Sequence, residues 1–198
     1  MDFGDYRWSA LARYHDAALE SAMLMLALTR LPERSHDDTA FWRVTHVRAL
    51  VRLYSKATIF SINARKSIEI ASVIDSTIIA HARSMRVHPL PAKAGEQDLC
   101  QKDFWWILSR IVHSISLGVV WDTSDHQVIG TQIHSVSRMR AIGFGSDFDG
   151  PTAVPGGFTV DTEHMHYVGV EEFISIYSGS IAEMIDNAIK TLRPSVSR

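Results

Sequence analysis

The segment DFWWILSRIVHSISLG, residues 103–118, carries side chains that can hold a phosphate and move a proton. Its apolar periodicity predicts a helix. One face of this helix is predicted to carry four residues at steps of four, three and four positions, namely Trp106, Arg110, His113 and Leu117. A guanidinium supplies a fixed positive charge, and an imidazole exchanges protons near neutral pH. We therefore predict Arg110 and His113 as catalytic candidates, with Trp106 beside them in an RNA-binding face.

A second basic feature is the stripe formed by Arg48, Arg52 and Lys56, at steps of four residues. The surrounding run of about residues 40–85 contains no proline or glycine and is predicted to be helical. Cations spaced in this way contact a phosphate backbone, so the stripe is a candidate RNA-binding surface. A solvated helix face is the alternative interpretation.

Carboxylates and imidazoles gather later in the chain. Asp147 and Asp149 lie in the sequence GSDFDG, and His164 and His166 are two residues apart, so on a strand they face the same side. Imidazole and carboxylate ligands suit zinc or manganese. The alternative to a metal site is a hairpin turn with a polar rim, which would contain the same residues. We predict no metal and no cofactor, and keep these four residues as the alternative metal-binding set.

The elements that position these residues are predicted from periodicity. The prediction is one mainly α (α+β) domain over 1–198, a helical bundle with a small antiparallel sheet inserted before the C-terminal helix. Its helical part covers about 5–118, its β-rich insert about 119–168 and its last helix about 170–192. The predicted helices are 5–30, then 40–85 as one helix or as two joined near residues 61–63, then 103–118 ending at Gly118. The predicted strands are near 119–122, 127–135, 138–145 and 158–167.

Composition limits the class of protein. The chain has 198 residues, of which 46% are hydrophobic and 21% charged, with a net charge of −2. This balance is that of a globular protein and gives no global attraction to nucleic acid or membrane. A single cysteine, Cys100, excludes an internal disulfide and predicts a cytoplasmic location. The charged first residues argue against a signal peptide, and the charges in the apolar run near residues 57–80 argue against a membrane span.

An aromatic-rich first helix, a long central helical region and a late helix with a basic residue before a histidine resemble the HEPN superfamily, over about residues 5–118. These are helical RNA-processing, toxin and nucleotide-binding domains. The resemblance implies an RNA- or nucleotide-binding protein, and in active members a metal-independent endoribonuclease of a toxin–antitoxin or phage-defence type. It also implies a homodimer that builds one composite site, and an antitoxin-like protein partner. The apolar stripe of residues 5–30 is the candidate dimer surface.

In that family the site residues are an arginine and a histidine with four to six residues between them. The resemblance gives His113 the role of general acid or base, and Arg110 that of stabilising charge on the phosphate. Here only two residues, Ile111 and Val112, lie between Arg110 and His113. This departure favours a non-catalytic protein-interaction module, which is the alternative function.

A local resemblance points to a third function. GSDFDG, with the proline and glycines that follow, is similar to the signature of the membrane dipeptidase family, zinc enzymes on a (β/α)8 barrel. The resemblance would make Asp147 a zinc-site residue, and His36-Asp37-Asp38 resembles the family's N-terminal His-x-Asp ligands. Such a barrel typically needs about 250 residues in eight strand–helix units. A metal-dependent hydrolase is therefore kept as a further alternative.

Overall fold

The first half of the chain forms four helices, α1 (Phe3–Thr29), α2 (Ala40–Ser72), α3 (Thr77–Ser84) and α4 (Phe104–His113), in a computed structural model. The structure describes residues 3–30, 40–88, 100–114, 116–129, 132–145, 153–154, 158–159 and 166–192. The predicted helices near 5–30 and 103–118 correspond to α1 and α4. The fold class, mainly helical with a small antiparallel sheet before the C-terminal helices, is confirmed.

Packing between α1 and α2 is the most extensive contact between helices. Both helices bury residues at steps of three and four, the period that keeps one face turned to a partner. Alanines recur among them, which lets the two backbones approach closely. The buried positions are Leu11, His15, Ala18, Ala22 and Met25 on α1 and Leu53, Ala57, Phe60, Ala64 and Ile68 on α2.

The joint predicted near residues 61–63 is wrong, because α2 runs unbroken through it. Asn63 is satisfied inside the helix, where its side-chain amide donates to the carbonyl oxygen of Ile59 over 2.9 Å. The break lies at residues 73–76 instead. There the Asp75 carboxylate accepts from both the backbone N–H (2.9 Å) and the hydroxyl (2.6 Å) of Thr77, which opens α3.

Three strands form the main sheet, in the order β1 (Ser116–Ile129), β2 (Gln132–Gly145), β5 (His166–Gly169), with all pairs antiparallel. β3 (Ala153–Val154) and β4 (Phe158–Thr159) form a separate two-residue ladder. The three short strands predicted over 119–145 are therefore two long ones. The turn-forming letters near residues 122–125 lie at register shifts between β1 and β2 and do not end a strand.

The C-terminal segment consists of α5 (Val170–Ile176), a π-helical turn (Tyr177–Ile181) and α6 (Ala182–Leu192). The single helix predicted over 170–192 is wrong in this detail. Gly179 has φ −84° and ψ −115°, outside the helical region, and it lies between two serines. Such Gly/Ser sequences are common sites of helix kinks.

Four aromatic rings join these helices in the centre of the core. Phe173 meets Phe60 edge-on, with ring centroids 5.1 Å apart, and Tyr177 meets Phe60 in the same way at 5.4 Å. Phe104 lies 5.4 Å from Phe173. The start of α4 is thus fixed against α2 and the C-terminal helices. In the part of the chain that the structure describes, no helix combines the length and apolar character needed to cross a bilayer.

Candidate nucleic-acid interface

The position of α4 is set by its first residues. The backbone N–H of Phe104 donates to the carbonyl oxygen of Met85 over 2.9 Å, next to a β-bridge between Arg86 and Asp103. The Asp103 carboxylate caps the helix by accepting from the N–H of Trp106 over 2.8 Å. α4 therefore begins directly beside the C-terminal end of α3.

This placement buries one face of α4 and leaves the other accessible. The apolar residues Phe104, Ile107, Leu108 and Ile111 are fully buried. Trp105, Trp106 and Arg110 are half-buried, and His113 is exposed. The two indoles consequently lie at the surface of the bundle.

Each indole is in contact with two cations. The guanidinium carbons of Arg65 and Arg83 lie 5.3 and 5.9 Å from the ring centroid of Trp105. The Lys102 ammonium lies 5.5 Å and the Arg110 guanidinium 5.2 Å from that of Trp106. All four distances are within the range of a cation–π interaction. We call the surface made by Trp105, Trp106, Arg65, Arg83, Lys102 and Arg110 the tryptophan–cation face.

The charge on this face is mainly positive. Arg83 and Lys102 are exposed and form no ion pair with any described residue. Arg65 donates to the carboxylate of Glu69 over 2.9 Å. Burial opposes the ionisation of Glu69, but hydrogen bonds from Lys66 and Arg65 outweigh it and lower the pKa of this carboxyl. Arg65 is therefore paired with a carboxylate, whereas Arg83 and Lys102 are not paired with one among the described residues.

The residues predicted on the α4 face are only partly brought together. Trp106 and Arg110 are in contact, as their spacing predicts. His113 is the last residue of α4, at the exposed end of the same helix. Leu117 lies on β1, because the helix ends five residues before the predicted Gly118. Ser114 ends it by donating its hydroxyl to the carbonyl oxygen of Arg110 over 2.7 Å.

The predicted basic stripe lies elsewhere on the molecule. Arg48 and Arg52 are exposed on α2, and Lys56 is half-buried. Arg65, the residue of α2 that reaches Trp105, is nine positions beyond Lys56, or about 14 Å along the helix axis. No hydrogen bond or ion pair among the described residues connects the stripe with α4.

Most of the alternative metal-binding set falls outside the described residues, namely Asp147, Asp149 and His164, as do residues 36–38. His166 is described, on β5. Its ring lies edge-on against Trp106, with centroids 5.2 Å apart, and 5.8 Å from that of Phe144. Within the described ranges, no group of three or more His, Cys, Asp or Glu residues is arranged to hold a metal ion.

A buried polar network connects α1, α2 and the π-helical turn, and the sequence does not predict it. The Tyr177 hydroxyl lies 2.9 Å from His15 Nδ1 and 2.8 Å from Ser67 Oγ. All three residues are buried. Because Ser67 donates its hydroxyl proton to the carbonyl of Ala64 (2.8 Å), Tyr177 donates to Ser67 and accepts from Nδ1–H of His15. Nδ1 of His15 therefore carries a proton, and its Nε2 lies 3.4 Å from Asp186 Oδ1.

Acid is expected to destabilise the protein through His15. Burial lowers the pKa of His15 below its ordinary 6.5, and the nearby carboxylates Asp186 and Asp16 offset this only in part. As the pH falls, His15 therefore binds a proton in the unfolded chain before it does so in the folded chain. Stability is therefore complete above pH 6.5 and falls as the pH drops from there through the lowered folded-state pKa, by at most about 1.4 kcal/mol per pH unit.

The measurement is urea unfolding between pH 7.5 and 5 for the wild type, His15→Gln and the control His113→Gln. His15→Gln should flatten the decline in unfolding free energy between pH 6.5 and 5. His113 is exposed on α4, so its replacement should keep the wild-type decline. Parallel curves for the wild type and His15→Gln would show that His15 does not titrate differently on folding.

Comparison with known proteins finds no matching family model, no matching curated protein and no matching solved structure.

Proposed function

We propose that this protein binds the phosphate backbone of RNA at the tryptophan–cation face, in line with its HEPN-like sequence pattern. The observation that carries this proposal is the pair of adjacent indoles, each in contact with two cations. Arginine and lysine are the side chains that neutralise phosphates, and aromatic rings beside them suit single strands with accessible bases. A toxin or phage-defence protein located in the cytoplasm would have access to single-stranded RNA of this kind.

Contact with the indoles prepares these cations for binding. A free arginine or lysine side chain carries about 2 kcal/mol of rotamer entropy, part of which is lost when it binds. Trp105 and Trp106 already restrict Arg65, Arg83 and Arg110. The four cations also come from α2, α3, α4 and the segment before α4, so one rigid core holds them together. These side chains therefore lose less conformational entropy when they bind a phosphate.

The proposed reaction at this face is metal-independent RNA cleavage. His113 would act as general base on the 2′-hydroxyl or as general acid on the leaving oxygen. Arg110, held over Trp106, would stabilise the charge that builds on the phosphate. Its three-residue distance from His113 places the two side chains one turn apart on α4.

Removing charge from the tryptophan–cation face is expected to weaken RNA binding and its dependence on salt. The double variant Arg83→Ala/Lys102→Ala removes two exposed cations. For a single strand, the slope of log K against log salt concentration should become shallower by about 1.4. The measurement is fluorescence anisotropy with a labelled single-stranded RNA at several salt concentrations.

The control removes the same charge from the stripe on α2. Arg48→Ala/Arg52→Ala should keep the wild-type slope if RNA lies on the tryptophan–cation face. A shallower slope only in this control would move the RNA site to α2. Unchanged slopes in both double variants would contradict RNA binding through either surface.

An interaction module is the second candidate function, favoured by an apolar stripe on α2. On a helix with 100° per residue its members fall within an arc of about 120°, opposite the buried face. The stripe consists of Val44, Val47, Val51, Ile59 and Ile62, which are 50, 57, 61, 37 and 40% exposed. The α1 stripe predicted as a dimer surface is instead mostly buried in the chain's own core, at Leu11, Ala18 and Ala22.

We propose that a second copy of the chain covers the α2 stripe. α2 is about 50 Å long, so two such helices side by side bury on the order of 1,000 Å², near the lower limit of a specific interface. Light scattering should then find a dimer for the wild type and a monomer for Val51→Glu/Ile59→Glu. Met23→Glu, at a 71% exposed position of α1, should remain dimeric. A monomeric wild type would leave the stripe to a different partner, such as an antitoxin-like protein.

A further inference from the structure

We infer that the groove between the start of α1 and the end of α2 binds single-stranded RNA as a continuation of the tryptophan–cation face. This inference rests on the proposed function. The groove has a volume of about 730 Å³, which is within the range of ligand-binding clefts. The residues that matter for its chemistry are Tyr6, Arg7, Arg13, Tyr14, Lys66 and Glu69.

The chemistry of the groove suits a nucleotide. Arg7 and Arg13 are exposed, and neither forms an ion pair with a described residue. Arg13 lies over the ring of Tyr14, 5.6 Å from its centroid, so it is partly ordered before any ligand binds. Tyr6 is 76% exposed and offers a ring to a base. Cations for phosphates beside rings for bases are what proteins use to hold a single strand.

One ion pair, between Arg65 and Glu69, joins the tryptophan–cation face to the groove. Glu69 lines the groove, and it accepts from Lys66 in the groove over 2.9 Å. It also accepts from Arg65 over 2.9 Å, and the guanidinium of Arg65 lies over Trp105. The Arg65–Glu69 pair therefore connects the two surfaces. A strand that crosses Trp105 meets the groove next.

The ligand is single-stranded for a geometric reason. Tyr6 and Tyr14 lie in a groove between two helices, where only an unstacked base can reach a ring. Bases in a duplex are stacked and paired, so their faces are not available. A duplex would contact the cations of the tryptophan–cation face and leave the groove empty.

The test uses RNA of two lengths with variants of the full chain. One oligonucleotide has 4 nucleotides, enough for the tryptophan–cation face, and one has 12, enough for both surfaces. Tyr6→Ala is expected to weaken binding of the longer RNA by about tenfold, the effect of one stacking contact, and Arg13→Ala is expected to weaken it through the loss of one phosphate contact. The shorter RNA should bind both variants with unchanged affinity.

Two controls separate this inference from the proposed function. Met23→Ala removes an exposed apolar side chain of α1 outside the groove and should bind both lengths as the wild type does. Arg83→Ala/Lys102→Ala should weaken both lengths. If that double variant weakens both while Tyr6→Ala and Arg13→Ala bind the longer RNA unchanged, the groove inference is wrong and the proposed function stands. If the double variant binds both lengths unchanged, the proposed function fails, and the inference with it.

Discussion

Replacing His113 with alanine is expected to slow RNA cleavage by about 100- to 10,000-fold, the contribution of a positioned general acid or base. The reason is geometric. His113 is exposed at the last residue of α4, one turn beyond Arg110, so in the proposed reaction a phosphate held by Arg110 would place its ribose beside the imidazole. Because the imidazole would act on the reacting atoms and is exposed rather than packed in the core, binding of RNA should change little. The measurement is single-turnover cleavage of labelled RNA with a chelator present.

Two controls make this result specific. Arg110→Lys keeps the positive charge but loses the planar guanidinium that lies on Trp106, so cleavage should fall less than in His113→Ala. The same sequence made as DNA lacks the 2′-hydroxyl and should bind without being cut. Cleavage that survives His113→Ala would rule out the proposed role of this histidine. A wild type that binds RNA and leaves it intact would contradict the proposed cleavage and keep the proposed RNA binding.

Much of the helical architecture was predictable because it is written in local periodicity. The buried positions of α1 recur every three or four residues, and so do those of α4. The end of α4 was not predictable in the same way. Ile115 continues the apolar spacing, but the backbone leaves the helix at Ser114, whose hydroxyl bonds to Arg110. Pairing of β1 with β2 begins at Ser116 and competes for the same residues.

The sheet shows a different limit. Residues 122–125 read as Asp-Thr-Ser-Asp, letters typical of a turn, and local chemistry alone favours ending a strand there. In the structure β1 continues past them because its partner β2 pairs on both sides, at Arg138 and at Val136. The one extra residue of β1 is absorbed as a bulge. Pairing between distant segments therefore decides whether turn-forming residues end a strand or lie within it.

In the candidate site, too, contacts within one helix were predictable and contacts between distant segments were not. Contact between Trp106 and Arg110 follows from a four-residue spacing on one helix, which a sequence displays directly. Arg65, Arg83 and Lys102 reach the same indoles from three other segments, and no local pattern connects them. The network of His15 and Tyr177 spans 162 positions in sequence. The one signal was a histidine among the apolar residues of α1, which indicates a buried polar partner without naming it.

Replacing Phe173 with alanine is expected to lower the free energy of unfolding by about 3–5 kcal/mol, the usual cost of removing a buried aromatic ring. Phe173 is fully buried and contacts Phe60 of α2 and Phe104 of α4, with centroids 5.1 and 5.4 Å away. The lost ring leaves a cavity where three helices meet, and rigid packing on all sides prevents its collapse. Urea unfolding followed by circular dichroism measures the change.

Two further variants test whether the decrease in unfolding free energy comes from the cavity left by Phe173. Phe173→Leu refills most of the cavity and should cost less than half as much, because the remaining change is mainly one of shape. Met23→Ala, at a 71% exposed position of α1, should stay within about 0.5 kcal/mol of the wild type. Equal stabilities for Phe173→Ala and Met23→Ala would contradict the central place of Phe173. The same cavity opens beside Phe104, the residue before Trp105, so Phe173→Ala should also weaken RNA binding while the charges of the tryptophan–cation face stay intact.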